Sequence, residues 1–218
     1  MPPTTLIGQI HTALERHYGP KRARKVRSNP LDELILTILS QNTSDINSHR
    51  AFQMLRQVMP TWEEVHRASE RKVAEAINVG GLARLKAARI KAILSQIHRE
   101  QRHFDLTFLR DLSDEEVRGY LSRFKGIGPK TVACVLLFSL GKPAFPVDTH
   151  VYRVVSRLGL LNAKVSPKKA QALLESLVPP ALYYPMHMHL VEHGRKICKA
   201  RIPLCHVCPL SKLCAYVR

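Results

Sequence analysis

The sequence predicts an all-α protein, and three observations carry that expectation. Apolar residues recur at helical spacing through nearly every segment. Two capping boxes, Thr61-Trp62-Glu63-Glu64 and Ser113-Asp114-Glu115-Glu116, stand where such stripes begin. No segment reads as a β-hairpin, an internal repeat or a low-complexity tract. Roughly ten short helices joined by short loops follow from this pattern.

Leu6, Ile7, Ile10, Leu14 and Tyr18 mark a first amphipathic helix, which Gly19-Pro20 stops. The basic run Lys21 to Arg27 reads as a solvated linker or as a contact to a backbone phosphate. Leu31 to Leu39 is too uniformly apolar for a surface helix, and it ends in the polar stretch Ser40-Gln41-Asn42-Thr43-Ser44-Asp45. The next helix carries Ala51, Phe52, Leu55, Val58 and Met59, and Ser69 caps the helix holding Val73, Ala76 and Ile77. After the turn Gly80-Gly81-Leu82 a long helix runs from about Ala83 to Gln101, with Ile90, Ile93, Leu94 and Ile97 inward.

Val117, Tyr120, Leu121 and Phe124 then lead into Lys125-Gly126-Ile127-Gly128-Pro129-Lys130-Thr131. Pro129 suits a first helical position, and Val132, Ala133, Leu136, Leu137 and Leu140 form the stripe behind it. This is a helix, a hairpin and a helix, with glycines supplying permissive backbone at the turn. Backbone N–H groups at a positive helix end would receive a phosphate there, although an ordinary helix–helix loop has the same outline. Asp148 is a natural N-cap for a helix with Val151, Val154, Val155 and Leu158, Ser166-Pro167 opens another, and a last one spans about Leu182 to Ile197.

Of the 218 residues, 34 are Lys or Arg and 17 are Asp or Glu, a net charge of +17 that implies a polyanionic partner. Nucleic acid leads, because no lipidation motif or basic amphipathic anchor stands out. No apolar stretch reaches the ~20 residues of a spanning helix, and Met1 to Ile10 lacks the features of a secretory signal. A reducing cytoplasm without membrane contact is therefore expected, where five cysteines do not make a disulfide framework.

Cys198, Cys205, Cys208 and Cys214 are spaced C-x6-C-x2-C-x5-C, a donor set for tetrahedral zinc or for an iron–sulfur cluster; spacing alone does not choose. Lys196, Lys199, Arg201 and Lys212 interleave them, whereas Cys134 sits on an apolar stripe and reads as core. His187, His189 and His193 lack an acidic partner pattern and read as packing or hydrogen-bonding groups. Lys130 falls in the first turn of its helix, where the dipole disfavours an ammonium. A lysine that gives up its proton becomes an amine nucleophile able to form a Schiff base with a sugar carbon; otherwise it is one more phosphate contact.

Taken together, Gly126-Ile127-Gly128-Pro129-Lys130-Thr131, Pro146-Val147-Asp148-Thr149-His150 and the four cysteines preceded by His193-Gly194-Arg195 make the chain resemble the endonuclease III family of helix–hairpin–helix DNA glycosylases. The resemblance covers nearly the whole length. It implies a six-helix domain at 29–143 and a cluster domain of 1–28 with 144–218, with DNA in the groove between these two lobes. Lys130 would attack the deoxyribose C1′, Asp148 would promote its deprotonation and stabilise the sugar cation, and Cys198, Cys205, Cys208 and Cys214 would hold a [4Fe–4S] cluster rather than zinc. Gly126, Ile127 and Gly128 would offer N–H groups to a phosphate. A target base would be flipped out, with Gln41 or Asn42 filling its space and Leu82 as the apolar wedge.

The implied activity is that of a bifunctional DNA glycosylase and abasic-site lyase on damaged pyrimidines in double-stranded DNA. Mismatched or 5-methylated bases, or non-catalytic DNA binding, are the alternatives. A nucleoid-associated cytoplasmic monomer completes the expectation. Two departures from the family pattern stand out. Lys125 replaces the usual proline before the hairpin, and Gln41-Asn42-Thr43 replaces Ala-Gln-Ala.

Overall fold

The computed structural model describes residues 3–22, 28–162 and 165–217, and for Pro3, Thr4 and Lys168 only the backbone. Residues 23–27 of the basic run lie outside them. Eleven α-helices follow in order among the described residues: α1 (Pro3–Tyr18), α2 (Pro30–Leu39), α3 (Asp45–Val58), α4 (Trp62–Arg67), α5 (Glu70–Ala76), α6 (Ala83–Gln101), α7 (Asp114–Ser122), α8 (Pro129–Cys134), α9 (Thr149–Arg157), α10 (Pro167–Leu177) and α11 (Tyr183–Lys196). Short 3₁₀ turns link several of them, and no strand occurs among the described residues. The all-α expectation holds. No helix among these residues is long and apolar enough to cross a membrane.

The chain divides into two compact units, Arg27–Gly141 and a second built from Met1–Val26 with Lys142–Arg218. In the first unit α2 is the centre: Leu31, Leu34, Ile35, Ile38 and Leu39 are fully buried, which explains its uniform greasiness. It packs against α3, α6, α8 and the π-helical turn Val135–Leu140 that continues α8. Its start is fixed by Asn29, whose Oδ1 accepts the Leu31 N–H at 2.9 Å, and by Pro30 at the first position. The two predicted capping boxes close in both directions, at Thr61 with Glu64 and at Ser113 with Glu116. Ser69 Oγ accepts the Lys72 N–H as expected of a cap.

In the second unit α9 and α11 pack face to face, and α1 lies against α11 and α10. Gly194 permits the close α9–α11 crossing, since a Cβ there would stand 2.9 Å from the His150 Cβ. The last helix, expected over about Leu182 to Ile197, is α11, and a 3₁₀ turn, Pro180–Leu182, precedes it. Pro179 and Pro180 lack N–H donors and so cannot join the ladder of a continuous helix.

Candidate active site

The hairpin between α7 and α8 is tight because Gly126 turns it. Its φ of +84° suits only glycine, and a Cβ would overlap Arg89 Nε and stand 2.7 Å from Arg89 Cζ. Gly128 differs from the expectation of two permissive glycines. Its φ of −103° and ψ of 175° are ordinary extended backbone, which serves as N-cap to α8. The Ile127 N–H also departs from its expected task. It donates to Phe124 O at 3.1 Å and closes the turn, while the Ile127 side chain is buried. Among the described residues, no protein acceptor takes the N–H of Gly126 or Gly128.

Lys130, at the second position of α8, is half-buried. The acidic neighbour that sequence reasoning missed is Glu33 on α2. Burial pushes its carboxyl above the usual range, opposed by hydrogen bonds from Ser28 and Thr37 and by the Lys130 charge. Asp148 caps α9 as expected: its Oδ1 accepts the Val151 N–H at 2.7 Å. Lys130 and Asp148 belong to different compact units, each with its own local geometry.

The stretch after α2 carries Gln41 and Asn42 in unlike roles. Gln41 Oε1 accepts a hydrogen bond from Arg89 Nη1 at 2.5 Å, whereas Asn42 is exposed in the left-handed region at φ 53°. Leu82 is likewise left-handed, at φ 50°, and 52% exposed. A leucine there is unusual, since its Cβ crowds the following carbonyl. Lys86 and Arg89 on α6 bear on these loops, and sequence reasoning missed both, since their partners come from distant segments.

Cys198, Cys205, Cys208 and Cys214 line one pocket, walled by apolar groups including Val154, Leu158, Ile197 and Leu210. Burial pushes the Cys208 thiol up, and the charges of the other three cysteines add to the shift. No three of the described His, Cys, Asp or Glu side chains form a group able to hold a single metal ion. Two arginines of α9 shape the surrounding chain. Arg153 donates to Gly194 O at 2.7 Å and Cys198 O at 2.9 Å; Arg157 donates to Lys199 O, Ala200 O and Cys198 Sγ.

His193 stands between the Tyr18 hydroxyl, 3.0 Å from its Nδ1, and Cys208 Sγ, 3.5 Å from its Nε2. Burial and the nearby His17 push its pKa down to about 4, so it is neutral at pH 7. His187 and His189 bond the carbonyls of Pro146 and Gly19, both at 2.9 Å, which agrees with their reading as hydrogen-bonding groups.

Residues 35–180 match the HhH-GPD superfamily of base excision DNA repair proteins. The chain belongs to that superfamily. It is 41% identical over 190 residues to a putative DNA glycosylase of Arabidopsis thaliana, with 83% of this chain and 64% of that longer protein covered. The endonuclease III of Sulfolobus acidocaldarius is 33% identical over 220 residues, covering 97% of this chain and 96% of its own. The structure of a trapped endonuclease III–DNA covalent intermediate superposes with a TM-score of 0.84 at 25% identity, covering 100% of this chain and 98% of that one. Its membership and its relatives over nearly the full length make this HhH-GPD protein a DNA glycosylase and abasic-site lyase of base excision repair.

Proposed function

We propose that this HhH-GPD protein is bifunctional and uses Lys130 as its nucleophile on damaged pyrimidines. The observation that carries the proposal is the local setting of Lys130. It follows a hairpin whose Gly126 and Gly128 N–H groups have no protein acceptor among the described residues, and it begins a helix. Phosphate held by those groups would bring the sugar towards the amine. The neutral Nζ attacks C1′, the bond from C1′ to the base breaks, and the base leaves with the electron pair and takes up a proton. Ring opening gives an imine on Lys130. Loss of a C2′ proton then expels the 3′ phosphate, and hydrolysis of the imine frees the lysine.

In this reading Asp148 promotes deprotonation of the amine and balances the developing positive charge on the sugar. Asn42 or Gln41 and Leu82 enter the space around the extruded nucleotide. The HhH lobe corresponds to 29–143 and the cluster lobe to 1–28 with 144–218. A monomer working at the nucleoid accords with this assignment.

A [4Fe–4S] cluster fits the donor set. The four thiols line one apolar-walled pocket, where burial and the neighbouring thiols raise the cost of ionising Cys208, and bound iron would relieve it. Cys198, Cys205, Cys208 and Cys214 would hold it, and its bonds would cross-link the loop that bears Lys199, Arg201 and Lys212. The covalent intermediate trapped for the endonuclease III neighbour supports the lysine chemistry.

The test is borohydride trapping on duplexes carrying oxidised pyrimidines, mismatches or an abasic site. The wild-type protein is expected to form a stable adduct on oxidised pyrimidine and abasic DNA, and Lys130→Ala none. Equal trapping by Lys130→Ala, or no adduct from the wild type on any duplex, defeats the mechanism.

A further inference from the structure

One side of α6 bears on each element that the glycosylase reading sends into DNA. Lys86 is 2% exposed and meets no carboxylate among the described residues. Its Nζ donates instead to Leu39 O at 2.7 Å and to Gly80 O at 2.9 Å. Leu39 ends α2 directly before Ser40-Gln41-Asn42, and Gly80 lies two residues before Leu82. One buried ammonium therefore pins the roots of both loops. A buried charge with only carbonyl partners is costly to keep, and burial lowers its pKa from the ordinary lysine value.

Arg89 lies three residues further on, on the same face of α6. Its Nη1 donates to Gln41 Oε1 at 2.5 Å, and its guanidinium lies where a Cβ of residue 126 would stand. The side chain thus joins the loop after α2 to the turn of the hairpin. Asn42 and Leu82, the residues at the loop tips, both hold left-handed backbone without being glycine. Such conformations persist where the surroundings over-determine them. Here the surroundings are the bonds of Lys86 and Arg89, with the Lys86 N–H donating to Leu82 O at 3.0 Å.

We propose that Lys86 and Arg89 are positioning residues that form a clasp, setting Asn42 and Leu82 in inserting poses before DNA arrives. Gln41 is the strap of this clasp, and Asn42 fills the space of the extruded nucleotide. Drawing Gln41 out would leave a half-buried guanidinium without its acceptor. Asn42 is exposed, tolerates the left-handed pose, and offers both a donor and an acceptor to the orphaned opposite base. This inference rests on the DNA glycosylase reading and deepens it.

The test uses the full chain and a duplex in which a tetrahydrofuran abasic analogue faces 2-aminopurine, whose fluorescence rises as it unstacks. Arg89→Ala and Gln41→Ala are each expected to slow the rise about tenfold and to reach the wild-type plateau. The double variant is expected to be no slower than either alone, because both changes break one link. Asn42→Ala is expected to lower the plateau itself. Lys86→Met, if circular dichroism finds it helical, is expected to slow the rise; if it does not fold, Arg89→Ala decides.

A wild-type rate in Arg89→Ala or in folded Lys86→Met overturns the clasp. Additive slowing in the double variant, or a lowered plateau in Gln41→Ala instead of Asn42→Ala, does so too. Wild-type borohydride trapping on an abasic site separates the two failures. Trapping with no dependence of the rise on Arg89 defeats the clasp alone, whereas no trapping defeats the reading beneath it.

Discussion

Glu33 is a carboxyl that folding has largely removed from water, close enough to Lys130 to feel its charge. Ser28 Oγ donates to it at 3.0 Å and Thr37 Oγ1 at 3.4 Å, both favouring the ionised form. Burial outweighs them and raises the pKa above the ordinary glutamate value. A carboxyl raised in the folded state contributes stability below its unfolded pKa and loses it as pH rises through the folded value. Glu33→Gln, which never ionises, is therefore expected to melt higher than the wild type near about pH 7.5, with the advantage shrinking towards about pH 5. Thermal melts at the two pH values check this, and a constant difference would contradict it. Neither Glu33 nor Arg89 was legible in the sequence, because their significance lies in neighbours brought up from distant segments. The helix-start positions of Lys130 and Asp148 were legible, because the signals that place them are local.

Elements were easier to read than their details. Helix starts at Thr61, Ser69, Ser113 and Asp148 were visible because a cap and its partner lie within three residues. The hairpin was visible as well, but its two glycines looked alike, since composition carries no φ. Their substitution separates them. Gly126→Ala must adopt a left-handed backbone and displace Arg89, and is expected to cost about 1–2 kcal/mol or more. Gly128→Ala keeps an extended backbone with nothing within 4 Å of the new Cβ. Its loss of a preferred cap is offset by a less flexible unfolded chain, so a change of at most about 0.5 kcal/mol is expected. Denaturant midpoints of the two variants measure the contrast, and equal losses would show that the turn does not depend on Gly126.

At the scale of the whole molecule, a net charge of +17 is a statement about how DNA is approached, separate from what is done to it. Lysines that neutralise phosphates release counterions, so affinity for a duplex falls as salt rises, by about a thousandfold between 50 and 200 mM if some six phosphates are met. This dependence gives a means of deciding what Lys130 does. A lysine that merely touches a phosphate adds about one to the slope of log affinity against log salt, and its removal subtracts that amount. A lysine that works as a neutral amine adds nothing to the slope, yet its removal ends the covalent chemistry. Lys130→Ala is therefore expected to bind an abasic-analogue duplex with the wild-type salt slope while forming no borohydride adduct. A slope shallower by about one, with trapping retained, would return Lys130 to the ranks of the surface lysines and move the nucleophile elsewhere.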